Sequence, residues 1–159
     1  DRAWTQFLAG ACPNYPQQIL EANYRQVCDR VDMIRNDEAD LTQIDEHHWQ
    51  QRNPVLTEAL EHLTTGAPQT IYWGGMTQGQ VRHFDPQQQR PGLPEDVAAL
   101  VERMTDTTTT LSLVNLDQSN PKKLVVQTGA YAEHQVTSVE LDGETYSQDR
   151  PHFTVTLGH

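Results

Sequence analysis

A chain of 159 residues with 22 acidic and 11 basic side chains carries a net charge of −11 and has room for one ordinary domain or two small apposed ones. Nucleic-acid affinity depends on neutralising phosphates with Lys and Arg, so this balance argues against nucleic acid and against anionic membrane surfaces. The longest apolar runs, KLVV and LSLVNL, are far too short to cross a bilayer, which argues against membrane insertion and for a soluble chain.

The first residues, DRAWTQFLAG, carry Trp4, Phe7 and Leu8 with no earlier element to pack on. They therefore read as an exposed apolar end. Cys12 and Cys28 make no disulfide framework, and whether they pair stays open. Cys28 is expected on the buried face of the first helix, where a free cysteine behaves as a small hydrophobe.

That helix is NYPQQILEANYRQVCDRVDMIRND. Ile19, Leu20, Tyr24, Val27, Cys28, Val31 and Ile34 form a stripe of 3.6-residue period, so they are expected to be its buried face. Pro16 suits the first turn, and Asn36-Asp37 ends the pattern.

The stretch DEHHWQQRNPVLTEALEH, residues 45–62, gathers three histidines and four carboxylates. One reading is catalytic, with His47 or His48 as base, Asp45 or Glu46 orienting it and Arg52 clamping an anion. A second reading uses Glu58 and His62, four apart on a helix, as two metal ligands. No HExxH or GxSxG pattern supports either, so neither a metal nor a cofactor is assigned. The plainer reading is a loop leading into a capped helix, NPVLTEALEHLTTG. Asn53 caps it, Pro54 opens it, and Gly66 supplies the left-handed end. Val55, Leu56, Ala59, Leu60 and Leu63 would be buried, with Glu58 and His62 an exposed pair on the opposite face.

Beyond it, QTIYWGGMTQGQVRHFDPQQQRPGLP reads as a short hairpin, 71–73 against 81–84, followed by a surface linker. Tyr72 and Trp73 beside glycines offer a stacking platform for a sugar, with Gln78, Gln80 and His83 as polar neighbours. LPEDVAALVERM is expected to be a third helix burying Val97, Leu100, Val101 and Met104. From Thr107 the grammar changes to alternating Thr- and Val-rich runs broken by turn residues. LDGE at 141–144 is a tight-turn signal, and four or five antiparallel strands follow. Tyr131, Glu133 and His134 fall in a loop at one end of the sheet, a common place for binding residues.

The architecture expected is α+β, with N-terminal helices packed on a C-terminal antiparallel β-sheet, half or most of a β-sandwich. Residues 1–104 would be mainly helical with a central glycine-rich hairpin or loop, and 105–159 antiparallel β. The stretches at 53–86, 90–104 and 111–141 resemble the C-terminal region of large uncharacterised bacterial proteins of the kind found in planctomycetes and marine bacteria. More loosely, LVNLDQSNPKKLVVQTG is similar to C-terminal β-sandwich modules of glycan-processing enzymes. The apolar N-terminal end and the uncovered last strand, HFTVTLGH, read as those of a non-catalytic C-terminal accessory module whose partners are upstream domains of one polypeptide or another protein, and the resemblance implies carbohydrate association. The alternatives are a hydrolase or lyase using the 45–62 cluster, and a free-standing carbohydrate-binding module.

Overall fold

The computed structural model describes residues 2–67 and 78–158. It is an α+β structure in which, among the described residues, four helices precede eight strands. The helices are α1 (Arg2–Leu8), α2 (Tyr15–Arg35), α3 (Glu46–Arg52) and α4 (Glu58–Thr65). The strands are β1 (Val81–Asp85), β2 (Arg90–Pro91), β3 (Val97–Met104), β4 (Thr109–Asn115), β5 (Lys122–Thr128), β6 (Val136–Leu141), β7 (Glu144–Arg150) and β8 (His152–Leu157). Every ladder is antiparallel.

The strands form three separate sheets: a four-stranded sheet in the order β2-β1-β5-β8, and the hairpins β3-β4 and β6-β7. On the four-stranded sheet, His83 lies opposite Val126 and Val126 opposite Phe153, while Leu124 lies opposite Val155. Because alternate residues share a face, Val81, His83, Asp85, Leu124, Val126 and Val155 line one side, and all six are buried. Phe7, Leu8, Tyr15, Leu63 and Val101 complete that core from the helices and the β3-β4 hairpin. Full burial of a side chain of this size stabilises the fold by roughly 1.5–3 kcal/mol.

The N-terminal residues are therefore not an exposed end. They form α1, whose Phe7 and Leu8 are buried in the core with Trp4 packed against it. The predicted third helix is also overturned, for 97–104 is the strand β3. Val97, Ala99 and Val101 pair with Asn115, Leu113 and Leu111, and the register then slips before Arg103. The slip is a bulge, which returns Met104 to the same face as Val101. An apolar spacing of 97, 101 and 104 imitates a helix only because of that extra residue. The expected strand at 81–84 is β1, and β2 and β3 follow it within the part expected to be mainly helical.

DPQQQRPG is no linker. It closes the β1-β2 hairpin, where the buried Asp85 carboxylate accepts the amides of Gln87 and Gln88 at 3.0 and 3.1 Å. Of the proposed 71–73/81–84 hairpin, only β1 falls within the described residues, and it pairs with β2 and β5. The LDGE turn forms as expected: Asp142 and Gly143 both have positive φ, 54° and 80°, the signature of the turn that suits strand twist.

Helix α2 matches its predicted span, with Pro16 in the first turn and Asn36 at the C-terminal cap. Its apolar stripe is not buried as expected. Tyr15 is the helix's single buried residue, Leu20, Tyr24 and Ile34 are exposed, and so is Cys28. Both cysteines are free thiols. The expected helix from Asn53 starts later, at Glu58 with Thr57 at its cap, because Asn53 uses its side chain to accept the Val55 amide at 3.0 Å. Its end is as predicted, with Gly66 left-handed at φ 71°. Ala59 and Leu63 are buried, whereas Val55 and Leu60 are exposed.

Candidate functional site

The 45–62 stretch resolves into three places with different chemistry. At its start Asp45 caps α3, its carboxylate accepting the amides of His47 and His48. A cap of this kind satisfies donors that the first helical turn leaves open. Asp45, Glu46 and His47 bring one ligand atom each within 4.8 Å of the others, all on exposed side chains. Asp45 is thus committed to backbone amides, and the His47 ring meets its carboxylate at 3.3 Å in open solvent.

The second place is centred on Asp37, which the sequence pattern marked only as the end of a helix. His48 Nε2 lies 2.5 Å and Arg52 Nε 2.9 Å from the same Asp37 oxygen. All three side chains are largely sheltered from solvent. The Ala39 amide donates to the other oxygen at 3.1 Å. Partial burial pushes the Asp37 carboxyl up, but the bonds from Ala39 and His48 and the Arg52 charge outweigh it and hold it below the usual range. One carboxylate therefore ties α3 to the end of α2. The orienting partner of His48 is Asp37, neither Asp45 nor Glu46. Arg52 is already occupied by that carboxylate and is also hydrogen-bonded to the His48 carbonyl at 3.3 Å. Beside this clamp a shallow groove of about 560 Å³ is lined by Asp29, Asp32, Met33, Asn36 and Arg52.

The third place is His62. It is 1% exposed, not on an outer face, and each ring nitrogen is used. Nδ1 donates to the Ala67 carbonyl at 2.7 Å, which leaves Nε2 to accept from the Tyr15 hydroxyl at 3.0 Å. The Trp4 ring lies 4.7 Å away, centroid to centroid. Burial holds the imidazole below its ordinary pKa, against the opposing pull of the Ala67 bond. Such a ring has no lone pair left for a metal. Glu58 sits on the same helix, one of its carboxylate oxygens buried without a hydrogen-bond partner.

His83 is likewise buried, on the inner face of β1, with Nε2 donating to the Thr64 carbonyl at 2.9 Å. Burial lowers its pKa, opposed by that bond. It is thus a core histidine that anchors the last turn of α4. Gln78 is exposed, while Tyr72 and Trp73 lie outside the described residues. Tyr131 is exposed, but Glu133 folds back to accept the Ala130 and Tyr131 amides at 3.2 and 2.7 Å. The His134 carbonyl accepts from Thr128 Oγ1 at 2.6 Å. That loop is held by its own polar groups.

The structure therefore separates what the sequence crowds together: His47 in solvent, His48 and Arg52 on Asp37, and His62 in the core. Hydrogen bonds of the His47, His48, His62 and His83 rings go to carboxylates, to Tyr15 and to backbone carbonyls. Tyr15 and Asp37 were missed by sequence reasoning; their signal was a polar group at each boundary of a long amphipathic helix.

Comparison with protein families gives one match, to a model described as Domain of unknown function (DUF8034), over residues 1–61. The chain is similar to that family across α1, α2, α3 and the start of α4. No curated protein and no solved structure matches the chain. Among the described residues no helix is long and apolar enough to cross a membrane.

Proposed function

We propose that this chain is a non-catalytic module that docks on protein through its helical side, within a larger bacterial polypeptide as its sequence resemblance implies. One observation carries the reading. The 21-residue α2 has an amphipathic sequence and a single buried residue, and α3 has none. Tyr24, Ile34, Leu41, Trp49 and Val55 stand exposed on or beside these two helices, Trp49 at 58%. Val114, Leu116, Tyr131, Leu141 and Tyr146 are exposed elsewhere, but more of the exposed large apolar side chains fall on the helical half, and concentrations of that kind mark interaction surfaces. The histidines and carboxylates nearby are engaged in holding helices together, which supports a structural rather than a chemical role.

The test is binding of an apolar fluorescent dye to the native, folded chain. Dye fluorescence is expected to rise on the wild type and to fall substantially for Tyr24→Ser combined with Trp49→Ser, with the circular dichroism unchanged. A native chain that binds no dye, or binds it equally after both substitutions, overturns the reading.

A further inference from the structure

We infer that α2 pairs antiparallel with α2 of a second copy of this chain. This deepens the docking role proposed above and rests on it. Along α2, Leu20, Tyr24, Val27, Val31 and Ile34 recur at intervals of four and three residues. That seven-residue repeat is the pattern by which one helix seats against another. Its inner margin, Val27 and Val31, is half-covered by the chain's own packing, and Leu20, Tyr24 and Ile34 are exposed.

On the solvent side of the seam runs a second row at seven-residue spacing: Glu21, Cys28 and Arg35, all exposed. This row decides both the occupant and its direction. Two parallel copies in register would carry this row on opposite flanks of the seam, so Glu21 and Arg35 would not meet across it. Two antiparallel copies related by an axis at Cys28 set Glu21 of each against Arg35 of the other, twice per dimer. The pattern is self-complementary in the antiparallel orientation alone, as a two-fold interface requires. Arg35 also meets Asp32 of its own helix at 3.3 Å, with both side chains mostly exposed. An exposed pair of that kind is weak and leaves the guanidinium free to reach a partner. Cys28 sits at the axis, an exposed thiol in the middle of an apolar row, and would face its own copy.

The test is sedimentation equilibrium of the full chain over a concentration series. A reversible dimer is expected, weakened by about tenfold or more in Arg35→Glu because two contacts become repulsive. Adding Glu21→Arg to Arg35→Glu should restore it, since the charges are again opposite. In a Cys12→Ser background, a short bis-maleimide should link two chains through Cys28 and fail to do so in Arg35→Glu. These positions are exposed on a helix, so circular dichroism should match the wild type in every variant. A chain that stays monomeric, or a dimer indifferent to both charge changes, overturns the pairing. A monomer that still binds the apolar dye overturns the pairing alone, whereas a monomer that binds none overturns the docking role as well.

Discussion

The Tyr15 hydroxyl donates to His62 Nε2 at 3.0 Å across 47 residues of sequence, and both groups are buried. This bond joins the first turn of α2 to the face of α4 that meets the core. The opposite ring nitrogen donates to the Ala67 carbonyl just beyond the left-handed Gly66. His83 holds the same turn from the sheet through the Thr64 carbonyl. Two neutral imidazoles thus close the end of one eight-residue helix.

Acid should loosen that closure before it affects the carboxylates. Burial holds His62 and His83 below the ordinary histidine value of about 6.5. In the window between that value and their lower folded values, the unfolded chain takes up protons that the folded chain refuses. Stability therefore rises with pH across it and falls as pH drops below about 6.5, by up to about 1.4 kcal/mol per unit for each histidine. Asp37, Asp40, Asp117 and Glu133 have lowered values, so their contributions are present above about pH 4 and lost only below it. Glu61, raised by burial and by Glu58, works in the opposite sense just above the carboxylate range. Urea unfolding between about pH 8 and about pH 5.5 should show the loss starting near 6.5. A flat profile there would mean that neither ring is held neutral.

Leu124 is fully buried at the centre of β5, on the side of the sheet that faces α4. Leu124→Ala should cost about 2–5 kcal/mol, the range for a cavity cut into a packed core. Leu60→Ala, on the outer side of α4 and exposed, should cost little. Comparable losses at both positions in denaturant melts would contradict the assigned faces of α4 and of the sheet.

How far the sequence was legible follows from the same two helices. The span of α2 was readable because Pro16 and Asn36 act locally. Which part of its surface is covered was not, since that depends on where α3 and α4 lie. Strand β3 was misread because its bulge sets Val101 and Met104 at helical spacing. The turn at Asp142-Gly143 was legible because positive φ favours those residue types. His62 was misplaced for a tertiary reason: its burial needs Tyr15 as donor and Trp4 as cover. No local pattern at 58–62 reports either partner.

Asp37 should prove a shared anchor. Asp37→Asn and His48→Gln should each lower the unfolding temperature, because both release α3 from the end of α2. Combined, they should lower it less than the sum of the two, since they break the same contact. Additive losses in a double-mutant cycle would show that His48 is held by something other than Asp37.

The β6-β7 hairpin should open independently of the rest. Its strands pair with each other, and no other described element packs extensively on them. A two-stranded hairpin alone is marginally stable in water. Its base is tied to β5 through Thr128, whose hydroxyl donates to the His134 carbonyl at 2.6 Å and whose amide donates to the Pro151 carbonyl at 2.9 Å. Amides of Val139 to Tyr146 should therefore exchange through local opening, much faster than those of Leu124 to Val126, which need global unfolding. Gly143→Val forces a branched side chain to φ 80° with no atom within 4 Å of the new Cβ. Its cost is then conformational, about 1–2 kcal/mol, and falls on the hairpin. Hydrogen exchange should show faster loss from β6 and β7 with β5 unchanged. Equal acceleration in β5 would show that the hairpin is part of the cooperative core.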